Sequence, residues 1–183
     1  MRVLGLCGSL RAASYNRGLL AAAEELLAEL GATCEVPDLS GVPEFDEDLE
    51  ARGDPVRVQE LKPMVAAADV LLLATPEYNY SLPGWFKNVL DWLSRPPTTT
   101  PLRHKPAGIL TASAGERGGA RAQLTLRALL VYTDTYVMAR PEMFVGKAEG
   151  KFDAQARLTD LATREELRNY LTALLAWADR LAD

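Results

Sequence analysis

The sequence predicts an α/β protein in which a parallel β-sheet carries helices on both of its faces. Strand-like and helix-like patterns alternate along the chain, which is the order expected for a parallel sheet. The strand-like segments are short and almost continuously apolar, as expected for strands covered on both sides. The length of 183 residues fits one domain, which we expect to span 1–183.

Five strands and five helices are predicted in alternation. The strands are expected at 2–7, 33–36, 69–75, 107–113 and 135–139. The helices are expected at 18–30, 56–68, 83–95, 118–132 and from 163 to the last residues. Pro63 has no backbone N–H and should kink or split its helix. Thr163 and Glu166 have the spacing of a capping box, which predicts the start of the last helix.

Composition and charge exclude several classes of function. The net charge of −5 argues against a nucleic-acid or anionic-membrane partner. Cys7 and Cys34 are the only cysteines, so neither a zinc site nor a disulfide framework is predicted. Because no signal peptide and no apolar run of about 20 residues is visible, we expect a cytoplasmic protein without a membrane segment.

Three loops follow directly after predicted strands, at 8–16, 75–82 and 113–120. In sheets of this kind, ligands bind outside the carboxyl ends of the strands, so we expect these loops to form one site. A fourth loop, 37–55, is long, acidic and rich in Pro and Gly. Its length favours either a functional element or a plain surface excursion.

The first loop, GSLRAASYN, has the chemistry of a terminal-phosphate site. Side-chain donors, unpaired amides at a helix start and the guanidinium of Arg11 all suit phosphate oxygens. The glycine pattern of a dinucleotide loop and the P-loop Lys are both absent. Two alternatives remain: Ser14 or Asn16 simply caps a helix, or Cys7 is a nucleophile beside a phosphate. The second is disfavoured because Cys7 ends a buried strand.

The second loop, TPEYNYSLP, combines prolines, tyrosines and polar groups that can border a flat heteroaromatic ring. Glu77 could act as an acid or base, but no second carboxylate or histidine stands near it in the sequence. His104, the only histidine, is interpreted as a loop residue. The third loop, SAGERGGAR, has glycines that allow either close approach to a ligand or a sharp turn.

The helix after the second loop is apolar around most of its circumference. Such a helix is either buried within the chain or shared with another subunit. We favour a homodimer or homotetramer interface through 83–95, because Trp and Phe are typical of interface cores. The residues concerned are Trp85, Phe86, Val89, Leu90, Trp92 and Leu93.

Together, GSLRAASYN (8–16) and PEYNYSLPGWFKNVLDW (76–92) resemble the NADPH-dependent FMN reductase family. This flavodoxin-like group includes NAD(P)H:quinone reductases, chromate reductases and some azoreductases. The resemblance in strand order extends from residue 1 to about 140. It implies a flavodoxin-like three-layer α/β/α sandwich with a five-stranded parallel sheet.

The resemblance also implies which residues hold the cofactor FMN. The motif that binds the FMN phosphate matches at Gly8, Ser9, Arg11, Ser14 and Asn16. The motif along the isoalloxazine ring and ribityl chain matches at Pro76, Glu77, Tyr78 and Asn79. The third loop supplies less closely matched candidates for flavin contact, Ser113, Gly115, Gly118 and Gly119. The continuation on a helix that the family uses in dimerisation matches at Lys87, Asn88, Asp91 and Trp92. Pro63 and the stretch 141–158 fall outside the pattern.

The implied reaction is ping-pong hydride transfer, with NADPH or NADH as co-substrate. Hydride passes from nicotinamide C4 to flavin N5, and the same ring face then reduces a quinone, free flavin, azo compound or chromate. No catalytic side chain and no metal are predicted, since the flavin does the bond-making chemistry. Two alternatives are an electron carrier without NAD(P)H turnover and an NAD(P)-binding regulator with Asp38 at the ribose.

Overall fold

The computed structural model describes residues 1–182 and has the predicted parallel sheet with helices on both faces. The strand order is β2-β1-β3-β4-β5, and every pair of strands is parallel. The strands are β1 (Arg2–Cys7), β2 (Thr33–Glu35), β3 (Val70–Ala74), β4 (Pro106–Ala112), β5 (Tyr136–Val137) and β6 (Met143–Val145). The helices are α1 (Tyr15–Glu29), α2 (Glu47–Glu50), α3 (Val56–Ala67), α4 (Gly84–Leu93), α5 (Ala120–Tyr132) and α6 (Leu161–Ala182). A single 3₁₀ turn occupies Ala148–Gly150.

Two apolar cores lie on opposite faces of the sheet, because successive strand residues point to opposite sides. One core joins alternate residues of β1 and β3 to α1 and α6. The other joins the remaining strand residues to α3, α4 and α5. All five residues of β3 are buried, which explains why its sequence is continuously apolar.

The fifth strand position of the sheet is filled by two short segments instead of the single predicted strand. β5 pairs with the start of β4 at Pro106 and Ala107, and β6 pairs with its end from Leu110 to Ala112. Part of the unmatched stretch 141–158 is therefore an edge strand. Between the two segments, the Tyr170 hydroxyl of α6 accepts from the Ile109 N–H at 2.7 Å and donates to the Ile109 carbonyl at 3.1 Å.

Two helix predictions need correction. Pro63 does not split α3, which is one helix, because buried residues on both sides of the proline, Leu61 and Val65, pack on the sheet. A kink at Pro63 stays a prediction. α6 begins at Leu161, before the predicted capping box. The Asp160 carboxylate accepts from the Thr163 N–H at 2.8 Å and therefore caps the helix in place of Thr163.

The long acidic loop is fastened to α4. The Asn88 side chain donates to the Pro43 carbonyl at 2.8 Å and accepts from the Phe45 N–H at 2.7 Å. The Trp92 indole donates to the same Pro43 carbonyl at 2.9 Å. These bonds explain the polar half of the Asn88–Trp92 motif: it holds residues 43–45 in place.

The apolar residues of α4 are buried within the chain. Phe86, Val89, Leu90, Trp92 and Leu93 are at most 1% exposed, and only Trp85 is half-buried. The argument that these side chains need a second subunit is therefore wrong, since the other α4 residues turned outward are small or polar.

Among the helices of residues 1–182, none combines the length and apolar character needed to span a bilayer. In the same part of the chain, no group of three or more His, Cys, Asp or Glu side chains is placed to hold a metal ion.

Candidate functional site

Three loops meet at the carboxyl edge of the sheet, as predicted. β1, β3 and β4 are neighbours, with Cys7 opposite Ala74 and Ala74 opposite Leu110. The loops that leave these strands, 8–14, 75–83 and 113–119, therefore start side by side. Gly8 allows the first and second loops to start in contact, since a Cβ at Gly8 would lie 2.5 Å from Thr75 Oγ1.

The first loop wraps the N-terminus of α1. Ser14 is the N-cap, and its hydroxyl oxygen accepts from the Arg17 N–H at 3.4 Å. Ser9 and Ser14 are both buried, and Ser14 stands directly before first-turn amides that have no partner inside the helix. Arg11 is exposed, and its guanidinium bonds to the Ala13 carbonyl. This loop presents hydroxyls, amides and positive charge together, which is the donor set of a phosphate site.

A second arginine reaches the same loop, which the sequence argument missed. The Arg17 guanidinium donates to the Ser9 carbonyl at 3.3 Å. Its position one turn into α1, three residues after the Ser14 cap, is a signal that points the side chain back toward the loop.

Asn16 joins two elements of the site. Its amide nitrogen donates to the Ala112 carbonyl at 3.0 Å, and its amide oxygen accepts from the Ala112 N–H at 2.9 Å. Both functional ends of the side chain thus bind the last residue of β4. The contact fixes the start of α1 relative to the third loop.

Cys7 has the environment of a small buried hydrophobe. The thiol is buried and lies 3.6 Å from the Ser9 carbonyl oxygen. Burial raises the pKa of Cys7 above its usual value, so the thiolate needed for nucleophilic attack is disfavoured. The alternative of a cysteine nucleophile therefore finds no support.

The second loop contains a tight hairpin. The Tyr78 N–H donates to the Ser81 carbonyl at 2.8 Å, and the Ser81 N–H donates back at 3.0 Å. Asn79 and Tyr80 between them both have positive φ, 50° and 68°, as in the primed turns that match strand twist. The turn leaves the Tyr78 and Tyr80 rings exposed at the carboxyl edge of the sheet.

Glu77 precedes this hairpin and contacts a different element. One carboxylate oxygen accepts from the Arg121 and Ala122 backbone N–H groups of α5, at 3.0 and 3.4 Å. The other oxygen lies 3.6 Å from Arg121 Nη1. The Arg121 guanidinium in turn lies 3.8 Å from the centre of the Tyr80 ring.

The third loop is hydrogen-bonded to the end of β6 and to the turn that follows it. The Ser113 N–H donates to Val145 at 3.0 Å, and the Ser113 carbonyl accepts from Ala148 at 3.1 Å. Gly118 is buried against β6, where a Cβ would come within 2.9 Å of backbone atoms, and its φ is +58°. Of the predicted flavin contacts in this loop, Gly118 thus has a packing role, while Gly115 is exposed.

A polar cleft of about 310 Å³ opens beside the third loop. It is lined by Glu77, Ser113, Gly115, Glu116, Arg117, Gly119 and Arg121. The carboxyl edge thus has a loop with the donor set of a phosphate site at one end and, beside it, the exposed rings of Tyr78 and Tyr80 and this cleft. That arrangement suits an elongated ligand with a terminal phosphate and a flat polar ring.

Comparisons with known proteins agree with this geometry. Residues 1–150 match the NADPH-dependent FMN reductase family. The chain belongs to this family. An NAD(P)H-dependent FMN reductase of Pseudomonas aeruginosa is 47% identical over 181 residues, covering 99% of this chain and 97% of that protein. A quinone reductase of Escherichia coli is 40% identical over 186 residues, covering 99% and 97%.

A solved structure shares the fold over nearly the full length. FerB, a flavoenzyme NAD(P)H:(acceptor) oxidoreductase of Paracoccus denitrificans, superposes with a TM-score of 0.88 at 31% identity. The match covers 98% of this chain and 97% of FerB. The protein is therefore a flavodoxin-like, NAD(P)H-dependent flavin enzyme that uses FMN.

The site of this FMN reductase fits the cofactor. Within residues 1–182, Ser9 is engaged through its carbonyl, by Cys7 and Arg17, while its hydroxyl makes no hydrogen bond. A phosphate oxygen would satisfy that hydroxyl and the α1 amides together.

Two other candidates, His104 and Asp38, are engaged by neighbouring residues. His104 precedes β4, at the opposite edge of the sheet, and its ring is 2.8 Å from the Asp134 carboxylate. Asp38 accepts from the Ser40 N–H and hydroxyl, which lower the pKa of that carboxyl. Its role in this turn gives no support to a ribose-binding Asp38 in an NAD(P)-binding regulator.

Proposed function

We propose that this FMN reductase family member transfers hydride from NAD(P)H through bound FMN to quinones, free flavins or similar small acceptors, in a ping-pong cycle. The observation that carries the proposal is the meeting of the phosphate-type loop with the exposed tyrosine hairpin at one sheet edge. The names of the relatives, FMN reductase and quinone reductase, support the choice of acceptors.

The first loop binds the phosphate of FMN. Ser9, Ser14 and the amides that start α1 donate to phosphate oxygens, while Arg11 and Arg17 supply positive charge. Asn16 acts indirectly, because both ends of its amide are bound to Ala112.

At the ring end, the chain positions and polarises the cofactor. Pro76, Tyr78, Asn79, Ser113 and Gly115 border the ring, and loop N–H groups face its electron-rich edge. FMN supplies the hydride-accepting and hydride-donating atom. No side-chain acid or base is assigned to the reaction, since the Glu77 carboxylate is already bound to α5.

We also propose a homodimer or homotetramer, with its contact moved from α4 to α5. All four exposed residues of α5 are apolar or aromatic: Leu124, Ala128, Val131 and Tyr132. A groove of about 330 Å³ beside them is bordered by the outward residues Lys87 and Asp91 of α4. An apolar face of this kind on a helix surface marks a protein contact. The region 83–95, predicted from sequence as the interface, thus supplies only the polar edge of the proposed contact.

A cytoplasmic location is part of the proposal. It is supported by the two unpaired cysteines, Cys7 and Cys34, since reduced thiols suit a reducing compartment.

The proposal is tested by the visible spectrum of the purified protein, followed by anaerobic addition of NADPH or NADH and then of a quinone. We expect the bands of oxidised flavin, their bleaching by the nucleotide and their return with the quinone. Bound flavin that neither nucleotide bleaches would favour the electron carrier, and a colourless protein that binds no added FMN would overturn the proposal.

The phosphate assignment has its own test. Arg11→Ala should weaken FMN binding about tenfold, since a charge-assisted bond to phosphate is lost. Arg103→Ala, at the opposite edge of the sheet, is the matched control and should leave FMN affinity unchanged. Equal affinity of both variants and the parent for FMN would remove Arg11 from the site.

A further inference from the structure

The start of α5 receives its cap from another loop. The cap position is Gly119, which has no side chain and has a φ of 86°. The amides that a cap residue would normally satisfy are those of Arg121 and Ala122, and both donate to one oxygen of Glu77. Glu77 stands 44 residues earlier than Arg121, in the loop before the tyrosine hairpin. One carboxylate thus joins the second and third loops of the site.

The same two loops are joined a second time through Arg121. Its guanidinium lies 3.6 Å from the free oxygen of Glu77 and 3.8 Å from the centre of the Tyr80 ring. A guanidinium over an aromatic face is attracted by the ring. Glu77, Arg121 and Tyr80 therefore form a closed set of contacts, and we name it the interloop bridge. The bridge determines where the exposed hairpin stands relative to residues 113–119.

Both oxygens of Glu77 are directed at α5. One is shared by two α5 amides, and the other faces Arg121, with the side chain only 16% exposed. In the function proposed above, the flat ring of the cofactor lies between these two loops, so their separation sets the width available to it.

Resting on the function proposed above, we infer that Glu77 is a positioning residue: it sets the spacing of the ring-binding slot through α5 and does not contact the ring. What Glu77 contributes is an acceptor oxygen at a fixed reach. A rival role, in which its negative charge tunes the flavin, would depend on the charge and not on the reach.

Two conservative variants separate these roles. Glu77→Gln keeps an acceptor oxygen at the same reach and removes the charge, whereas Glu77→Asp keeps the charge and shortens the reach by one methylene. Glu77→Ala removes both. The matched control is Glu165→Ala, which removes an exposed carboxylate from α6, away from the three loops of the site. Glu165 is 65% exposed and lies 3.8 Å from Arg168.

The affinity of the flavin-free protein for FMN is the first measurement, followed by the KM and kcat for a quinone. We expect Glu77→Ala and Glu77→Asp to weaken FMN binding about tenfold and to raise the quinone KM more than they change kcat. Glu77→Gln and Glu165→Ala should stay within about threefold of the parent, a factor equal to less than 1 kcal/mol.

A second readout needs no flavin. Amide hydrogen exchange at Arg121 and Ala122 in the flavin-free protein should speed up in Glu77→Ala and Glu77→Asp but stay slow in Glu77→Gln. An impaired Glu77→Gln beside a normal Glu77→Asp would overturn the inference in favour of the charge. If the parent binds FMN and Glu77→Ala binds it equally well, the inference is overturned and the proposed function stands. If the parent itself does not bind FMN, the proposed function is overturned.

Discussion

Asn16 shows how one residue in a cofactor motif can serve the fold. Its amide makes two hydrogen bonds to Ala112, and both groups are buried. Asn16→Ala removes both bonds and leaves the Ala112 N–H and carbonyl without partners. We expect a loss of about 2–4 kcal/mol in the free energy of unfolding, measured by urea denaturation of the flavin-free protein.

The matched control for Asn16 is Asn169→Ala on the exposed side of α6, which should change the free energy of unfolding by less than about 0.5 kcal/mol. If both alanine variants unfold at the same urea concentration, the assigned role of Asn16 is wrong.

Cys7 supports packing at the end of β1. Because burial raises the pKa of its thiol, we expect native Cys7 to resist iodoacetamide at neutral pH and to react after unfolding. Cys7→Ala should keep NAD(P)H turnover and lose about 1 kcal/mol of stability. Mass spectrometry locates the modified thiol. If Cys7 is labelled rapidly in the native protein and Cys7→Ala loses turnover, the hypothesis that Cys7 is a nucleophile would be supported after all.

At the scale of secondary-structure elements, the interrupted fifth strand has a specific consequence for α6. The break between β5 and β6 leaves the Ile109 N–H and carbonyl without strand partners, and the Tyr170 hydroxyl binds both. The last helix is thereby joined to the middle of the sheet by polar bonds as well as apolar packing. Tyr170→Phe should lower the free energy of unfolding by about 1–3 kcal/mol, measured by urea denaturation.

The pH dependence of this bond follows from the buried phenol. Burial raises the pKa of Tyr170, so the folded state holds the proton more tightly than the unfolded state. The stabilisation is complete below the ordinary tyrosine pKa of about 10 and declines as the pH rises above it. The stability difference between the parent and Tyr170→Phe should therefore shrink above pH of about 10.

Elements with a strong local pattern were predicted well from sequence. β3 and β4 are covered on both faces, so every position favours an apolar residue, and the confirmed sheet follows from that pattern. The sequence could not show that the fifth strand is broken, because the contact that replaces its middle comes from Tyr170, some 30 residues later. The early start of α6 was missed because Asp160, and not Thr163, supplies the cap.

The location of the site was predicted from sequence, but the hydrogen bonds that join its loops were not. The phosphate-type loop and the hairpin are local motifs whose common edge follows from parallel strand order. The bonds of Asn16 and Glu77 join residues 96 and 44 positions apart, and no local pattern signals them. Direct contact with the flavin stays a prediction for Ser9, Ser14, Tyr78 and Asn79. Glu77 and Asn16 instead hold the loops of the site in position.

At the scale of the whole molecule, the uncovered apolar face of α5 determines the expected assembly. Val131 is 77% exposed on this face, and a charge there would be unfavourable in a buried contact. Val131→Glu should convert the proposed oligomer to monomers in sedimentation velocity. Leu161→Glu is the matched control, since Leu161 is 80% exposed at the start of α6 and away from that face. A parent that sediments as a monomer, or a variant that stays assembled, would contradict the proposal.

The glycine cap of α5 has a practical meaning for redesign. Because Glu77 supplies the acceptor for the first turn, the exposed side chains of Ala114, Glu116 and Arg117 are not needed to start the helix. Those three positions can be randomised in a library without uncapping α5, while Gly115 is kept for the proposed ring contact. Variation in this segment would then reshape the mouth of the cleft while the scaffold beneath it is kept, which makes it the natural starting point for directed evolution toward new acceptors.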